Sequence, residues 1–379
     1  MRIITRLISF LVGGLFIFSG LIKLNDPTGT EIKLEEYFTV FKADKTLYLE
    51  NLSGLWDFLM PFSLVLAIVL TVMEVVLGIN MLLHHRPKTT IFSLFGLILF
   101  FTFLTFYSWY FDKVKDCGCF GDAIPLTPAQ SFVKDVILTV MIVFLLFRRN
   151  NIKSVFSTRG GSVISILSTI GCIAFGLYTV RHLPVKDFRA YKVGANLPKN
   201  MKPSEKLKYD PEVYVYNDLT AKKDIEISKD DFTKNWKKYS DTLKYKFVKL
   251  DKPLLNPEAL PKITDYKVFN KQNADVTLQT LTGQKFFIII PDIAKTKKGK
   301  KVAKTALDAY PKINELVKEL RKAQIQPLVL TAAGEQEMEQ FRHQVQLAVD
   351  YYFVDKKVLK TMVRANPGLM LLQDGTVKG

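Results

Sequence analysis

Asp116-Cys117-Gly118-Cys119-Phe120-Gly121-Asp122 lies between two long apolar runs and holds two of the three cysteines in the chain. A short polar loop flanked in this way reads as a turn at one face of a membrane, carrying a Cys-X-Cys pair. The rest of the sequence can be read as a means of placing that loop and of presenting something to it.

The 379 residues suffice for two or three domains. Hydrophobicity is distributed unevenly. Residues 1–184 carry five apolar runs, whereas 185–379 have the composition of a lysine-rich soluble domain. The formal charge of +17 raises the question of nucleic acid or an anionic surface. The lysines are nevertheless spread through the second half and interleaved with acids, which favours a solvated surface and no nucleic-acid partner. Three cysteines and four histidines never fall at paired metal-ligand spacing.

The first apolar run, Thr5–Leu24, matches the roughly 20 helical residues that cross a bilayer. It has no small-residue cleavage pattern and ends at Lys23-Leu24-Asn25-Asp26-Pro27, where Asp-Pro stops a helix. Gly13 and Gly20 share one face, so another helix can approach closely there. The bland alternative is that glycine is simply common in membrane helices. Further spans are expected at Phe58–Leu83, Thr89–Phe111, Pro128–Phe147 and Ser162–Val180, with residues 25–57 charged and aromatic. Thr127-Pro128-Ala129-Gln130 has capping-box spacing for the fourth span.

Orientation follows from the loops. Arg2, Arg6, Arg86, Lys88, Arg148, Arg149, Lys153 and Arg159 fall on one side with no acidic residue, while Glu31, Glu35, Glu36, Asp44, Asp112, Asp116 and Asp122 fall on the other. Basic loops face the cytoplasm. The expectation is a multi-pass protein of the cytoplasmic (inner) membrane with a cytoplasmic N-terminus. The cysteine loop and the C-terminal domain then face the periplasm or exterior.

Two acids lie inside the spans. Glu74 sits near the middle of the second, at a depth that costs about 2.5–3.5 kcal/mol on insertion scales, and so reads as facing the bundle. Asp135 lies about two turns into the fourth span, next to a Lys134 that can snorkel outward. Both are candidates for handling protons or for contacting a quinone or a thiol. The structural alternative is a polar contact that locks helix register.

Cys117 and Cys119 can close a very small ring if Gly118 bends the chain to bring the Cα atoms within about 4.4–6.8 Å. Strained, exposed disulfides tend to be oxidising and labile, and outside the cytoplasm disulfides persist. Asp116 and Asp122 would raise the thiol pKa; Lys113 and Lys115 oppose that. Alternatively the pair is an inert staple, or each cysteine bridges elsewhere, although 185–379 contains none. Cys172, mid-span, reads as a small apolar residue.

Gly14-Leu15-Phe16-Ile17-Phe18-Ser19-Gly20-Leu21-Ile22-Lys23-Leu24 resembles the opening of the DoxX-like membrane proteins. With Glu74, Leu77-Gly78, the cysteine motif and Lys134-Asp135, residues 1–150 are similar to the MauE (methylamine utilisation) branch. The resemblance implies a four-helix bundle tied to thiol oxidation or disulfide formation in an exported protein, with quinone as the candidate electron acceptor. MauE itself is linked to maturing a disulfide-rich amine dehydrogenase subunit. A fifth transmembrane helix within 151–184 and the domain at 185–379 extend beyond the family's short form.

Residues 185–210 read as a linker. Strands are expected at Val213–Tyr216, Lys223–Ile227, Tyr245–Leu250, Phe286–Ile290, Pro327–Thr331, Tyr351–Val354 and Leu369–Leu372. Helices are expected at Asp230–Tyr239, Ala306–Ala323, Glu335–Gln346 and Lys356–Arg364, and Leu278–Lys285 carries a hairpin turn signal. Strand–helix–strand followed by a proline-led hairpin resembles the thioredoxin-like fold, with Pro367 at the position of the proline that faces the dithiol. The loop Pro291-Asp292-Ile293-Ala294-Lys295-Thr296 has no Cys-X-X-Cys, so this domain carries no dithiol of its own. A thioredoxin-like domain would continue past Lys378-Gly379 into another strand and a closing helix.

The leading expectation is a redox membrane protein, a thiol–disulfide oxidoreductase of the thiol:quinone type. Cys117 and Cys119 exchange disulfides with exported proteins, Glu74 or Asp135 handles protons, and the C-terminal domain raises a partner's local concentration. The competing expectation is a non-catalytic membrane-anchored assembly or binding protein with a Cys-Gly-Cys staple. A transporter ranks third, since no inverted repeat or broken helix pair is visible.

Overall fold

In the computed structural model the described residues are all except Met1, Lys115–Cys117, Lys153, Pro253, Lys298, Gly299 and Lys304. Five helical segments are long and apolar enough to cross a membrane. The chain begins with α1 (Arg2–Asn25), α2 (Pro27–Lys42), α3 (Ser53–Leu59), α4 (Ser63–Leu82), α5 (Pro87–Phe111), α6 (Pro128–Arg148) and α7 (Thr158–His182). Every expected span is present, most of them longer at one or both ends. The second differs most: its helical stretch begins at Leu49, with α3 and α4 joined by a 3-10 turn at Met60–Phe62. Pro61 has no N–H to give the helix, which accounts for the irregular turn.

Asp26 stops α1 as expected, and it also starts α2. Its carboxylate accepts from the Gly29 N–H at 3.1 Å, and Pro27 occupies the first turn. α2 lies in a stretch with no long apolar run because it buries only a stripe, including Ile32, Tyr37, Phe38 and Phe41, and leaves Glu35 and Glu36 at its surface side. Asp44, just past α2, pairs with Lys113, just past α5. Burial pushes the Asp44 carboxyl up, but the Lys113 ammonium and the Thr46 N–H more than offset this and hold it well below the usual carboxylate range.

Glycine decides how α1 meets α4. A Cβ on Gly78 would stand 2.7 Å from the Gly13 carbonyl oxygen, and one on Gly13 would stand 2.8 Å from that of Gly78. A Cβ on Gly20 would come within 2.6 Å of Val75. The glycine face is therefore a helix-crossing surface, as small residues on one stripe allow. Around it Val12, Phe16, Met81, Ile91, Leu94, Ile98 and Ile142 form the bundle core. α7 packs against α1 and α4, with Cys172 against Leu24, Val72 and Val75, and the Thr179 hydroxyl donates to the Leu24 carbonyl at 2.8 Å.

The C-terminal region is α/β. It adds α8 (Leu197–Asn200), β1 (Val213–Asp218), β2 (Lys223–Ser228), α9 (Lys229–Lys234), α10 (Trp236–Tyr239), β3 (Tyr245–Asp251), α11 (Thr277–Thr280), β4 (Gln284–Ile290), β5 (Ala294–Lys297) and β6 (Lys300–Ala303). α12 (Tyr310–Lys322), β7 (Gln326–Thr331), α13 (Glu335–Gln344), β8 (Tyr351–Phe353), α14 (Lys356–Met362), β9 (Gly368–Gln373) and β10 (Thr376–Val377) complete it. Three antiparallel strands run in the order β2-β1-β3, and a five-stranded mixed sheet in the order β10-β9-β4-β7-β8. β4 is central, parallel to β7 and antiparallel to β9. Its unbroken apolar run serves both faces: Phe287 and Ile289 pack towards α14, while Phe286, Ile288 and Ile290 pack towards α12 and α13.

Three local expectations change. Residues 185–210 are not a free linker: Tyr191 and Leu197 lie in the core, and the Gly194 N–H donates to the Val377 carbonyl at 2.8 Å. Leu278–Lys285 is not a hairpin. It is the turn of α11 followed by the start of β4, whose antiparallel partner comes from far along the chain; Asp374 accepts from the Gly283 N–H at 2.9 Å. The stretch after β4 is itself a strand pair, β5 with β6.

Two measurements check this packing. Gly78→Val should destabilise the purified bundle by about 1–3 kcal/mol through overpacking, while Gly14→Ala, with nothing within 4 Å of its added carbon, should be neutral in thermal unfolding. The Asp44–Lys113 tie should contribute stability above about pH 4, the ordinary aspartate value, and lose it as pH falls towards the depressed folded value; Asp44→Asn should flatten that acid limb.

Candidate functional site

α1 places Ser19 and Lys23 on one face, four residues apart, and α4 brings Glu74 opposite them. The Lys23 Nζ stands 2.6 Å from Glu74 Oε1, with side-chain exposures of 7 % and 2 %. The other carboxylate oxygen, Oε2, lies 2.8 Å from the Ser19 hydroxyl. That hydroxyl is also 3.0 Å from the carbonyl oxygen of Cys119. It has one proton for two acceptors. Ser19 thus bridges the Glu74 carboxylate and the backbone of the cysteine loop. Lys23 also lies over the Phe101 ring at 4.5 Å, which offsets part of the cost of its burial.

α6 supplies the second charged pair. Lys134 bonds to Asp135, and the Thr105 hydroxyl of α5 donates to the other Asp135 oxygen at 3.0 Å. Lys134 was read as able to snorkel outward, leaving Asp135 facing a neighbour. In the structure its ammonium is held by Asp135 and lies 5.5 Å from the Phe120 ring in the cysteine loop.

The loop turns on two glycines with positive φ, Gly118 at 65° and Gly121 at 51°, closed by a Gly121 N–H bond to the Gly118 carbonyl at 3.1 Å. Phe120 tucks its ring against Phe18, with centroids 5.6 Å apart. Cys119 is half-buried here. Cys117, Asp116 and Lys115 lie outside the described residues, so the Cys117–Cys119 pairing and the Lys115 contribution are not addressed by the geometry.

Two cavities meet at Cys119. A pocket of about 30 Å³ on the bundle side is lined by Ser19, Lys23, Glu74, Cys119, Lys134 and Asp135. That is room for a water or two among polar partners. A cavity of about 700 Å³ lies on the other side, between the bundle and the C-terminal region, and shares Lys23, Glu74 and Cys119 with the first. Of the four residues expected at the site, three converge: Cys119, Glu74 and Asp135. Cys172 stands apart in the α7 packing.

The roof of the larger cavity is held by charge. Arg364, just past α14, grips Asp26 with Nε at 2.9 Å and Nη2 at 2.6 Å, and lies 3.7 Å from Asp122 of the cysteine loop. Lys357 bonds Glu36 at 2.7 Å and Lys360 bonds Glu35 at 2.5 Å. Burial pulls the Arg364 pKa down, and Asp26 more than restores it, so this cation stays charged. Lys113, expected to balance the loop acids, is committed to Asp44. Among the described residues no group of three His, Cys, Asp or Glu side chains gathers to hold a metal ion.

Ser19, Lys23, Thr105 and Arg364 were not singled out from the sequence as site residues. Lys23 had a usable signal, since a lysine closing one span and a lone glutamate inside another are natural partners. Ser19, Thr105 and Arg364 had none, because their partners lie 30 to 338 residues away.

Fold and site together define a multi-pass membrane protein with a charged, cysteine-lined site where the bundle meets an α/β region. Residues 1–148 match the family described as methylamine utilisation protein MauE. The chain is also similar to Protein TlpB of Flavobacterium psychrophilum, 31% identical over 103 residues, which are 25% of this chain and 28% of that relative. The match thus spans less than a third of either protein. No solved structure matches the chain.

The Lys23–Glu74 pair gives a clear stability test. Glu74→Leu alone strands a buried ammonium and should cost about 3–5 kcal/mol, whereas Lys23→Met with Glu74→Leu should recover most of that loss in thermal unfolding.

Proposed function

We propose that this protein carries out thiol–disulfide exchange at the membrane surface through Cys117 and Cys119, with Glu74 and Asp135 exchanging the protons. The observation that carries this reading is the convergence of Cys119 with two ion pairs on one small buried pocket. Ionisable groups at membrane depth mark functional sites, and here two carboxylates stand beside a cysteine in an apolar bundle.

The chemistry balances simply. A client thiolate attacks one sulfur of the Cys117–Cys119 disulfide, forming a mixed disulfide and releasing the other cysteine as thiolate. A second client thiolate resolves the mixed species, leaving the client oxidised by two electrons and both loop cysteines reduced. Glu74, through Ser19, and Asp135, held by Thr105, are placed to exchange the accompanying protons. Turnover then needs a two-electron acceptor, and the likeness of 1–148 to MauE points to a quinone. On the larger cavity Leu70, Phe101 and Leu104 would give such a ring apolar contacts, and the Lys23 ammonium a donor. A bound quinone would supply an acceptor for two electrons and two protons.

In this reading residues 1–150 are the DoxX/MauE-like bundle, 151–184 the fifth transmembrane helix and 185–379 an extracytoplasmic thioredoxin-like domain. The parallel β4–β7 pair, the antiparallel β9–β10 hairpin and the cis Asn366–Pro367 bond ahead of β9 support the thioredoxin likeness. The basic loops support a cytoplasmic N-terminus in the inner membrane. The domain has no cysteine, so its role is to hold and shield, with exported proteins as clients.

The test is rapid acid trapping and alkylation of thiols in cells carrying wild type, Cys117→Ser or Cys119→Ser. The proposal expects a partly reduced pair in wild type and mixed disulfides with exported proteins in one single mutant. A pair that is always oxidised, with no mixed species and no phenotype, would contradict it and leave a structural staple in an assembly protein.

A further inference from the structure

Cys119, the described cysteine of this site, faces a cavity of about 700 Å³ walled on its far side by the C-terminal region. Standard protein–protein contacts bury roughly 800 Å² on each partner, and a cavity of this size offers no such surface. It is in the range of pockets that enclose a small molecule or a few residues of extended chain.

The roof is fastened at one helix. α14 and the residue pair beyond it meet α2 and its cap through Lys357–Glu36, Lys360–Glu35 and the two-pronged Arg364–Asp26 contact. Arg364 also faces Asp122, so the same cation touches the cysteine loop. A second tie, between Asn25 and the backbone of Lys186, holds the chain where it leaves the bundle. The lysine pairs are partly exposed and the Arg364 side chain is only 4 % exposed, so the latch is sensitive to salt at its rim and firm at its centre.

We infer that the docked protein admits an unfolded, cysteine-bearing segment of polypeptide to Cys119 and excludes folded thiol proteins, and that the α14–α2 latch enforces this choice. The identity of the segment rests on the thiol-exchange function proposed above; the steric selection does not. Cavity walls carrying both charges, including Asp26, Lys33, Glu36, Lys262 and Asp265, suit a polar extended backbone of no fixed charge.

The experiment uses full-length protein in lipid nanodiscs with Cys119 as the sole thiol (Cys117→Ser, Cys172→Ala). The same maleimide is delivered on a short unstructured peptide or tethered to a folded, thioredoxin-sized carrier. With the latch intact the folded carrier should label at least about tenfold more slowly than the peptide, reflecting a small undocked population. Arg364→Gln, or Glu35→Gln with Glu36→Gln should Arg364→Gln fail to fold, should raise the folded carrier's rate severalfold and leave the peptide's nearly unchanged. High salt on the unaltered latch should act in the same direction. Equal rates for the two carriers with the latch intact, or a latch variant that changes neither, overturn the inference. No turnover is measured, so labelling that follows this pattern in a protein that never cycles in cells would sink thiol exchange and leave the steric selection standing.

Discussion

A lysine ammonium and a glutamate carboxylate, 2.6 Å apart and withdrawn from water, fix the crossing of α1 and α4. Neither charge is tolerable there alone, because an isolated ion in a low-dielectric bundle loses its hydration with nothing in return. Two glycines in backbone contact, Gly13 and Gly78, bring the helices close enough for the pair to form. From that crossing Ser19 reaches the cysteine loop, and the loop in turn meets Arg364 from the far end of the chain. Packing, charge and the placement of Cys119 are one connected arrangement.

The consequence for chemistry lies in the polarity of the setting. Cys119 is flanked by two carboxylates, each tied to a lysine and to a hydroxyl, on a pocket large enough for water. On the other side of the same cysteine the cavity is roofed by a region with no cysteine, held by ion pairs. In the function proposed above, the helical half supplies the reactive group and its proton partners, and the α/β half governs what reaches it.

Much of the architecture was legible from residue order. Spans were readable because a bilayer demands a long apolar run, and the boundaries moved only by a few residues, except where Pro61 breaks a longer helical stretch. Glu74 and Asp135 stood out because charge inside a span is costly, and both line the pocket with Cys119. α2 was invisible as an element because it buries only a stripe and its acids point at α14, a partner more than 300 residues away. Residues 185–210 looked like a linker because polar composition conceals edge pairing with Gly375 and Val377. The surroundings of Lys134 were hidden for a related reason: only the fold reveals that its ammonium meets Asp135 and the Phe120 ring at the loop.

The most direct measurement counts reversible thiols. Purified protein in lipid would be equilibrated with a dithiol buffer over a range of potentials, alkylated, and analysed by intact mass and peptide mapping. The account predicts that Cys117 and Cys119 gain two labels together in a single two-electron transition, while Cys172 stays outside it. Two cysteines that remain thiols under oxidising conditions, or that titrate independently, would contradict it.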